Sequence, residues 1–245
     1  MDESDQVHRS VPPSPGERGT LTARVPAGSR ARAEEVAPAA PHSRREEILD
    51  GAAEMFAEHG YHGSSLRDIS GHIGISHSGM LHHFESKDAL LDGVIDRLEE
   101  HAQIALNRIP ELSTDRRALL RGLADIWHPA SLPIRLLATL DAESVSEELH
   151  GRYRMARLRK VHEHVLESCF EGLAAHGLLR EDAEPAFAGR ALLAVVLNLA
   201  VREKTIRPLQ HRSHDDAPLK DLAMQVDAFL IEEEHPDPRP VTPQP

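Results

Sequence analysis

The stretch GISHSGMLHHF, residues 74–84, decides how the fold and the chemistry of this chain are interpreted. It holds three histidines, two serines and two glycines, and it contains no Lys, Arg, Asp or Glu. A metal site, a catalytic loop and a helix that reads another polymer are all compatible with that composition. The spacing of its residues and the segments on either side distinguish among the three.

Three short helices are predicted around this stretch. Apolar residues recur at helical spacing between Ser43, which opens a capping box, and Gly60, and again between Ser65 and Gly74. Ser76 then caps a third segment. A helix, a glycine-containing turn and a second helix, with a preceding helix to brace them, have the arrangement of a helix-turn-helix.

The third helix is expected to bury one side and to expose small hydrogen-bonding groups on the other. At ~100° per residue, Met80 and Phe84 point to the same side. The opposite side and its flanks consist of His77, Ser78, Gly79, Leu81, His82 and His83. Because Ser and His can bond to base edges and Gly lets a backbone approach closely, this face suits the major groove of DNA.

Metal binding and catalysis are disfavoured by spacing and by missing motifs. A helix presents two ligands to one ion when they are three or four residues apart, whereas His77 and His82 are five apart and His82 and His83 are adjacent. The sequence has no Gly-x-Ser-x-Gly elbow and no Gly-rich phosphate loop. We therefore expect no metal site, no catalytic residues and no cofactor.

The composition favours an all-α protein. Of the 245 residues, 40% are apolar and only 3% are aromatic, so the core must be built mainly from Ala, Leu, Val and Ile. The one cysteine, Cys169, excludes an intrachain disulfide and suits a reducing cytosol, and an inert core thiol is its expected role. The formal net charge of -12 argues mildly against a partner that is simply a polyanion.

The sequence predicts a cytoplasmic protein with no membrane partner. The longest apolar run, residues 191–201, is interrupted by Asn198 and is shorter than the ~20 residues that a membrane span needs. The N-terminus has no apolar core of the kind found in signal peptides.

Disordered tails are expected at residues 1–42 and 236–245, which are rich in proline and have no apolar periodicity. Between Arg18 and Arg32 the first tail has four arginines and no acid. This piece is either a flexible basic arm or a solvated linker.

Six further helices are predicted, which gives a larger helical bundle after the three N-terminal helices. They run from about residue 87 to just before Pro110 and over 114–127, 133–145, 147–176, 186–204 and 219–231. The last two offer more apolar surface than a monomer would leave in water. A two-fold interface is therefore predicted there, with a fully intramolecular core as the alternative.

The segment RREEILDGAAEMFAEHGYHGSSLRDISGHIGISHSGMLHHFESKDALLDGVI resembles the DNA-binding domain of TetR-family transcriptional regulators. The resemblance covers about residues 43–102, with the helix-turn-helix at 65–84. It implies a ligand-binding and dimerisation domain over 103–235. It also implies a homodimer whose third helices enter successive major grooves of a palindromic double-stranded DNA operator.

The resemblance further implies which side chains contact DNA. His77, Ser78 and Gly79 stand at the base-reading positions, and Lys87 stands where the family contacts phosphate. The complete implied set is Ser65, Arg67, Ser76, His77, Ser78, Gly79, Leu81, His82, His83 and Lys87. Leu81 replaces the phosphate-contacting Tyr that is usual there, so it is expected to touch a thymine methyl or a sugar instead.

A ligand-responsive regulator is the function that the resemblance implies, with repression released by a small-molecule effector, or activation as the other mode. The effector cavity is expected among the fourth to eighth helices. Its candidate residues are Trp127, Arg135, Asp141, Tyr153, His162 and Asn198. The acidic charge and Leu81 motivate an alternative, a helical ligand sensor or carrier that no longer binds DNA. A second alternative, an enzyme built on a helical bundle, is disfavoured because no set of catalytic residues converges.

The charge balance predicts that DNA binding depends only weakly on salt. Residues 43–109 contain six basic and twelve acidic side chains, a net charge of -6. Few positive charges then face the DNA backbone, so the slope of log K against log salt should be shallow unless the arginines of the N-terminal tail contribute. Fluorescence anisotropy over a salt series measures this slope, and a value that implies many neutralised phosphates would contradict the prediction.

Overall fold

A computed structural model describes residues 43–209 and 217–231. The predicted tails at 1–42 and 236–245, including the arginines between Arg18 and Arg32, lie outside the described residues. The all-α prediction is confirmed. Within the described residues the helices are α1 (Arg44–His59), α2 (Leu66–Ile73), α3 (His77–His83), α4 (Lys87–Asn107), α5 (Ile109–Leu112), α6 (Arg116–Asp125), α7 (Leu132–Glu143), α8 (Arg152–Ala175), α9 (Pro185–Thr205) and α10 (Ala217–Asp227).

The long helix α8 begins five residues later than its apolar stripe predicts. Gly151 has a φ of 79°, in the left-handed region, and so stands outside the helix that follows it. A Cβ at this glycine would lie 2.7 Å from the side chain of Ile95 on α4. The close approach of the chain to α4 therefore sets where α8 begins.

Two other helices differ from the prediction, since α5 was not predicted and the last helix ends before the predicted residue 231. Both differences lie where the chain reverses direction. The short helix α5 carries Pro110 in its first turn, where a missing N–H is tolerated. The last helix ends at Asp227, because the residues after it pair with the segment that follows α8: the N–H of Ile231 donates to the carbonyl of Leu178 at 3.0 Å. Neither feature has a periodic signal in the sequence.

The first four helices share one hydrophobic core. Ile48 and Phe56 of α1, Ile69 of α2, Met80 of α3 and Leu91 of α4 are all fully buried. The apolar residues at helical spacing therefore face inward, and the polar faces of these helices point outward.

The apolar helix α9 is at the centre of the remaining bundle. It packs along α8, and a Cβ at Gly189 would lie only 2.6 Å from the backbone nitrogen of Glu167, so the two helices approach closely. Among the described helices, α9 alone is long and apolar enough to cross a membrane, with 21 residues and a mean hydropathy of 1.4. Core helices of soluble proteins meet the same criteria, and Leu192 and Val196 of α9 are fully buried.

Cys169 lies on the buried side of α8. Burial raises the pKa of its thiol to about 12. Since the thiolate is the reactive form, this position fits the expected inert core thiol.

The carboxyl end of α1 is held by two distant helices. The hydroxyl of Thr139 on α7 donates to the carbonyl of Ala57 at 3.3 Å, and the ammonium of Lys204 on α9 donates to the same carbonyl at 3.3 Å and also to that of Glu58. The last carbonyls of a helix lack partners within it, and a cation there interacts favourably with the helix dipole. These contacts therefore fasten α1 to the bundle.

A second set of contacts continues this attachment past the end of α1. Arg135 of α7 forms an ion pair with Glu58 at 2.6 Å. The backbone N–H of Tyr61 donates to the carboxylate of Glu143 at 2.7 Å, beside Gly60, which has a φ of 77°. We call residues 57–61, together with Arg135, Thr139, Glu143 and Lys204, the α1 junction.

Gly60 should tolerate substitution much less well than Gly74. Both have positive φ, but Gly60 combines φ 77° with ψ 169°, a region almost confined to glycine, whereas Gly74 is in the ordinary left-handed region. A Cβ at Gly60 would also overlap the Glu143 carboxylate and displace it from Tyr61, while Gly74 has open space. We expect Gly74→Ala to cost about 1 kcal/mol of unfolding free energy and Gly60→Ala about 3 kcal/mol or more.

Urea denaturation followed by circular dichroism measures both values. Equal destabilisation by the two substitutions would contradict the role assigned to the Glu143 contact.

Candidate nucleic-acid interface

Local capping sets the position of the turn between α2 and α3. Ser65 and Asp68 form a reciprocal capping box at the start of α2. Gly74 ends the helix with a φ of 75°, and the N–H of Ile75 reaches back to the carbonyl of Ser70 at 2.9 Å. These contacts reverse the chain, and α3 follows after two residues.

The third helix packs on the core through one side and exposes its opposite side to solvent. Met80 is fully buried and Phe84 is nearly so. The side chain of Leu81 is 43% exposed, and His77, Ser78, His82 and His83 are also exposed. A Cβ at Gly79 would meet only the Ser76 hydroxyl, at 3.1 Å, so the backbone there is accessible to a partner. The face predicted from the helical wheel is the face that the structure exposes.

The two capping serines have their hydroxyl groups already engaged. Ser76 Oγ accepts from the Gly79 N–H at 3.0 Å and lies 3.1 Å from Ser78 Oγ. Ser65 Oγ donates to the Asp68 carboxylate at 2.5 Å. Ser65 and Ser76 therefore position the helices, and their hydroxyls have little capacity left for a nucleic acid.

The histidines of α3 remain available to a partner. His82 and His83 contact each other edge to face, with ring centroids 5.4 Å apart. Their ring nitrogens, like those of His77, form no hydrogen bond with any described residue. Together with the Ser78 hydroxyl they give an uncharged face that can donate and accept hydrogen bonds.

The predicted phosphate-contacting Lys87 is held by an aromatic ring. Its ammonium lies 4.0 Å from the ring centroid of Tyr61, whose hydroxyl donates to Asp88. Burial lowers the pKa of Lys87, and the carboxylates of Glu143 and Asp88 act in the opposite direction. Tyr61 thus joins the α1 junction to the start of α4.

This role of Tyr61 was not predicted from the sequence, because Tyr61 and Lys87 lie 26 positions apart and no local pattern links them. Arg67, by contrast, is exposed on α2 as its position in the motif predicts.

The histidines do not converge on a metal. Within residues 43–209 and 217–231, no three His, Cys, Asp or Glu side chains lie close enough together to hold an ion.

Comparison with known proteins identifies this part of the chain. Residues 48–94 match the family model described as bacterial regulatory proteins, tetR family. Residues 48–94 are a TetR-family domain. The prediction made from the sequence motif is therefore confirmed for these residues, which include α2, α3 and the start of α4.

The curated relatives are similar mainly over the TetR-family domain. The chain is 35% identical over 87 residues to the HTH-type transcriptional repressor KstR2 of Rhodococcus jostii, covering 36% of this chain and 43% of that protein. It is 47% identical over 47 residues to the HTH-type transcriptional repressor AcnR of Corynebacterium diphtheriae, covering 19% and 25%. The matched part spans less than half the length of these relatives, which are named as transcriptional repressors and not as enzymes.

Solved structures extend the likeness beyond the TetR-family domain. Escherichia coli NemR in its reduced form is similar with a TM-score of 0.59 and 20% identity, over 79% of this chain and all of that one. SmeT, the repressor of the Stenotrophomonas maltophilia multidrug efflux pump SmeDEF, has a TM-score of 0.54 and 24% identity, over 78% and 92%. At these identities the likeness concerns the fold alone.

Among the six predicted effector-binding residues, the structure brings two together. In the bundle that follows the TetR-family domain, the indole N–H of Trp127 donates to Nδ1 of His162 at 3.2 Å, and both side chains are buried. The ring of His101 on α4 lies beside that of His162, with centroids 6.0 Å apart. This pair between α8 and the end of α6 is the polar centre of an otherwise apolar region.

In the described part of the chain, the other four residues form no hydrogen bond or ion pair with this pair or with one another. Asp141 forms an ion pair with Arg159, and Tyr153 is 77% exposed. Arg135 lines a groove of about 350 Å³ between α1 and α7, as part of the α1 junction. Asn198 is exposed and lines a groove of about 550 Å³ between α9 and α10.

The buried histidine should make folding stability fall in mild acid. Burial, with a smaller effect of neighbouring His101, lowers the pKa of His162 to about 3. The unfolded chain takes up a proton at this residue below a pKa of about 6.5 while the folded protein does not, so stability is complete above that pH and falls toward pH 3. Between pH 7.5 and 5.5 the loss from this residue is about 1.4 kcal/mol.

Denaturation of the wild type and of His162→Gln, which keeps an acceptor for Trp127, measures this difference. His164→Gln, which removes an exposed histidine of the same helix, is the matched control. The same pH dependence in wild type and His162→Gln would show that this residue does not cause the effect.

Proposed function

We propose that this protein is a transcriptional repressor that binds a palindromic DNA operator as a homodimer and is released by a small-molecule effector. The DNA-binding domain extends over residues 43–102, and residues 103–235 bind the effector and dimerise. The observation that carries the proposal is the exposed face of α3, with His77, Ser78 and Gly79 presented above the buried Met80. Its uncharged donors and acceptors match the edges of bases in a major groove.

The outer face of α9 and α10 supports dimerisation. Phe187, Val201 and Met224 are 53%, 44% and 63% exposed, and the groove lined by Asn198 lies on this face. Large apolar side chains left in water on neighbouring helices are typical of a surface that a second subunit covers.

The α1 junction supports control by an effector. A ligand that shifts α7 acts directly on the end of α1, through Thr139 and Glu143. Differential affinity of the ligand for the two positions of α7 then sets how far the affinity for DNA falls. The buried Trp127 and His162 pair is the polar group that an effector entering the bundle meets. A regulator of this kind works in the cytoplasm, where its DNA is.

An alternative function is a ligand sensor or carrier that keeps the fold but does not bind DNA. The exposed Leu81 and the net charge of -6 over residues 43–109 favour it. Asp68 adds to this case, because its carboxylate caps the start of α2, where a phosphate would otherwise meet backbone N–H groups.

A gel-shift assay on the DNA upstream of the protein's own gene separates the two functions. The repressor should retard this DNA at low salt, with sedimentation showing a dimer. If the protein is a folded dimer and retards no DNA at low salt, the repressor function is wrong and the sensor or carrier function is favoured.

Substitution of the α3 face should change which operator is preferred more than it changes general affinity for DNA. His77→Ala and Ser78→Ala remove base contacts that are each worth about 1–3 kcal/mol of discrimination. Lys87→Ala should instead weaken binding to all sequences alike, because phosphates carry no sequence information.

Selection of binding sites from a random duplex library measures the preference, and anisotropy on an unrelated duplex measures general affinity. His72→Ala, which removes an exposed histidine of α2, is the control and should alter neither. If the His77 and Ser78 variants lose affinity equally for every duplex, the base-reading assignment is wrong.

A further inference from the structure

The six basic residues between 43 and 109 divide into two groups in the structure. Three are neutralised by carboxylates of the protein itself. Arg44 pairs with Glu47 at 2.5 Å, Arg97 with Glu46 and with Asp50 at 2.7 Å, and Arg108 with Glu111 at 2.9 Å and Asp125 at 3.4 Å. The other three, Arg45, Arg67 and Lys87, form no ion pair with a carboxylate in the described part of the chain. Two of those three already belong to the proposed DNA-binding set, and Arg45 does not.

The side chain of Arg45 is held at the end of α3. Its guanidinium carbon lies 4.8 Å from the ring centroid of Phe84, the residue that caps α3 and is itself almost fully buried. A guanidinium is attracted to the face of an aromatic ring, and its N–H groups point outward in its own plane. Arg45 is exposed, so these donors are accessible from solvent.

The two acids nearest in sequence do not compete with a phosphate for Arg45, because each pairs with another arginine. Glu46 is engaged by Arg97, and Glu47 is engaged by Arg44. An arginine that is already paired would have to leave its carboxylate before it could bind a phosphate. Arg45 can bind a phosphate and break no ion pair of the described structure.

The location of Arg45 fits the DNA backbone and not the bases. α3 has seven residues and is therefore about 10 Å long, less than the width of a major groove at about 12 Å. A long cationic side chain fixed at one end of such a helix reaches toward the sugar-phosphate strand that borders the groove.

We propose that Arg45 is a DNA-phosphate contact, held in place by Phe84 at the end of α3. This inference rests on the proposed function. Arg45, Arg67 and Lys87 then make up the cationic footprint of residues 43–109 in each subunit. Phosphates bind guanidinium groups through two parallel N–H donors, which a guanidinium held at an aromatic ring and exposed to solvent can supply.

The test is the salt dependence of binding to the upstream duplex and to an unrelated duplex of equal length, measured by anisotropy with the full chain. Arg45→Gln removes the charge and keeps much of the side chain. Each phosphate contact contributes about 0.9 to the slope, so loss of two per dimer should make the slope shallower by about 2 on both duplexes. Arg45→Lys keeps the charge and should keep most of the slope.

Arg44→Gln is the matched control, because it removes the same charge one residue earlier from a side chain engaged by Glu47. The control should leave the slope near that of the wild type. Arg45→Gln with the slope of the wild type, or equal changes in the Arg44 and Arg45 variants, would overturn the proposal, since packing on Phe84 alone does not alter a salt slope.

Two further outcomes are distinguishable. If wild-type protein binds neither duplex, the proposed function fails and the inference fails with it, whereas binding by wild type with an unaffected Arg45→Gln removes the inference alone. Circular dichroism verifies folding of each variant. If Arg45→Gln does not fold, Arg45→Met, whose thioether packs on the ring, is measured by the same criteria.

Discussion

The hydrogen bond from the backbone N–H of Tyr61 to the Glu143 carboxylate fixes where α1 stops, and the position of the α2 and α3 pair depends on that point. Gly60 must adopt a conformation suited to glycine for this N–H to face α7. The chain then turns into the capping box of α2. On the other side of Tyr61, its ring lies under the ammonium of Lys87 at the start of α4. One short segment thus connects α7 of the bundle, the α2 and α3 pair and the proposed phosphate contact Lys87.

The parts of the fold set by local chemistry could be predicted from the sequence. Ser65, Ser76 and Gly74 cap or end helices through contacts with residues at most five positions away, so their roles appear in the sequence pattern. The exposed face of α3 follows from its periodicity in the same way. The late start of α8, immediately after Gly151, was not predicted, because it depends on the close approach of Gly151 to Ile95, far away in the sequence.

The arrangement of the candidate effector-binding residues was harder to predict for the same reason. Trp127 and His162 were each identifiable as an unusual residue in an apolar segment, but their hydrogen bond links positions 35 apart. Tyr153 and Asn198 carry the same chemical signal and are exposed, since polarity alone does not indicate which side of a helix a residue occupies. A composition-based list therefore identifies candidates without giving their arrangement.

Part of the acidic charge of the chain is paired with arginines of the same molecule. Arg154 on α8 pairs with Asp92, Asp96 and Glu99 along α4, at 3.3, 2.6 and 3.0 Å. Carboxylates engaged in this way repel a DNA backbone less than the formal charge suggests. The electrostatic field near α3 therefore depends on where individual acids and bases lie. The formal net charge of the chain is a poor measure of it.

Lys204 couples the position of α9 to the position of α1, because it donates to the last carbonyls of α1. A helix of 21 residues is a stiff rod about 31 Å long, and Lys204 lies at one end of it, with Val195 near its middle on the groove between α9 and α10. A tilt of about 10° around that middle displaces the Lys204 end by about 2–3 Å. Because this end holds the last carbonyls of α1, a tilt of α9 shifts the carboxyl end of α1, and the proposed dimer surface on α9 is coupled in this way to the helices that follow α1.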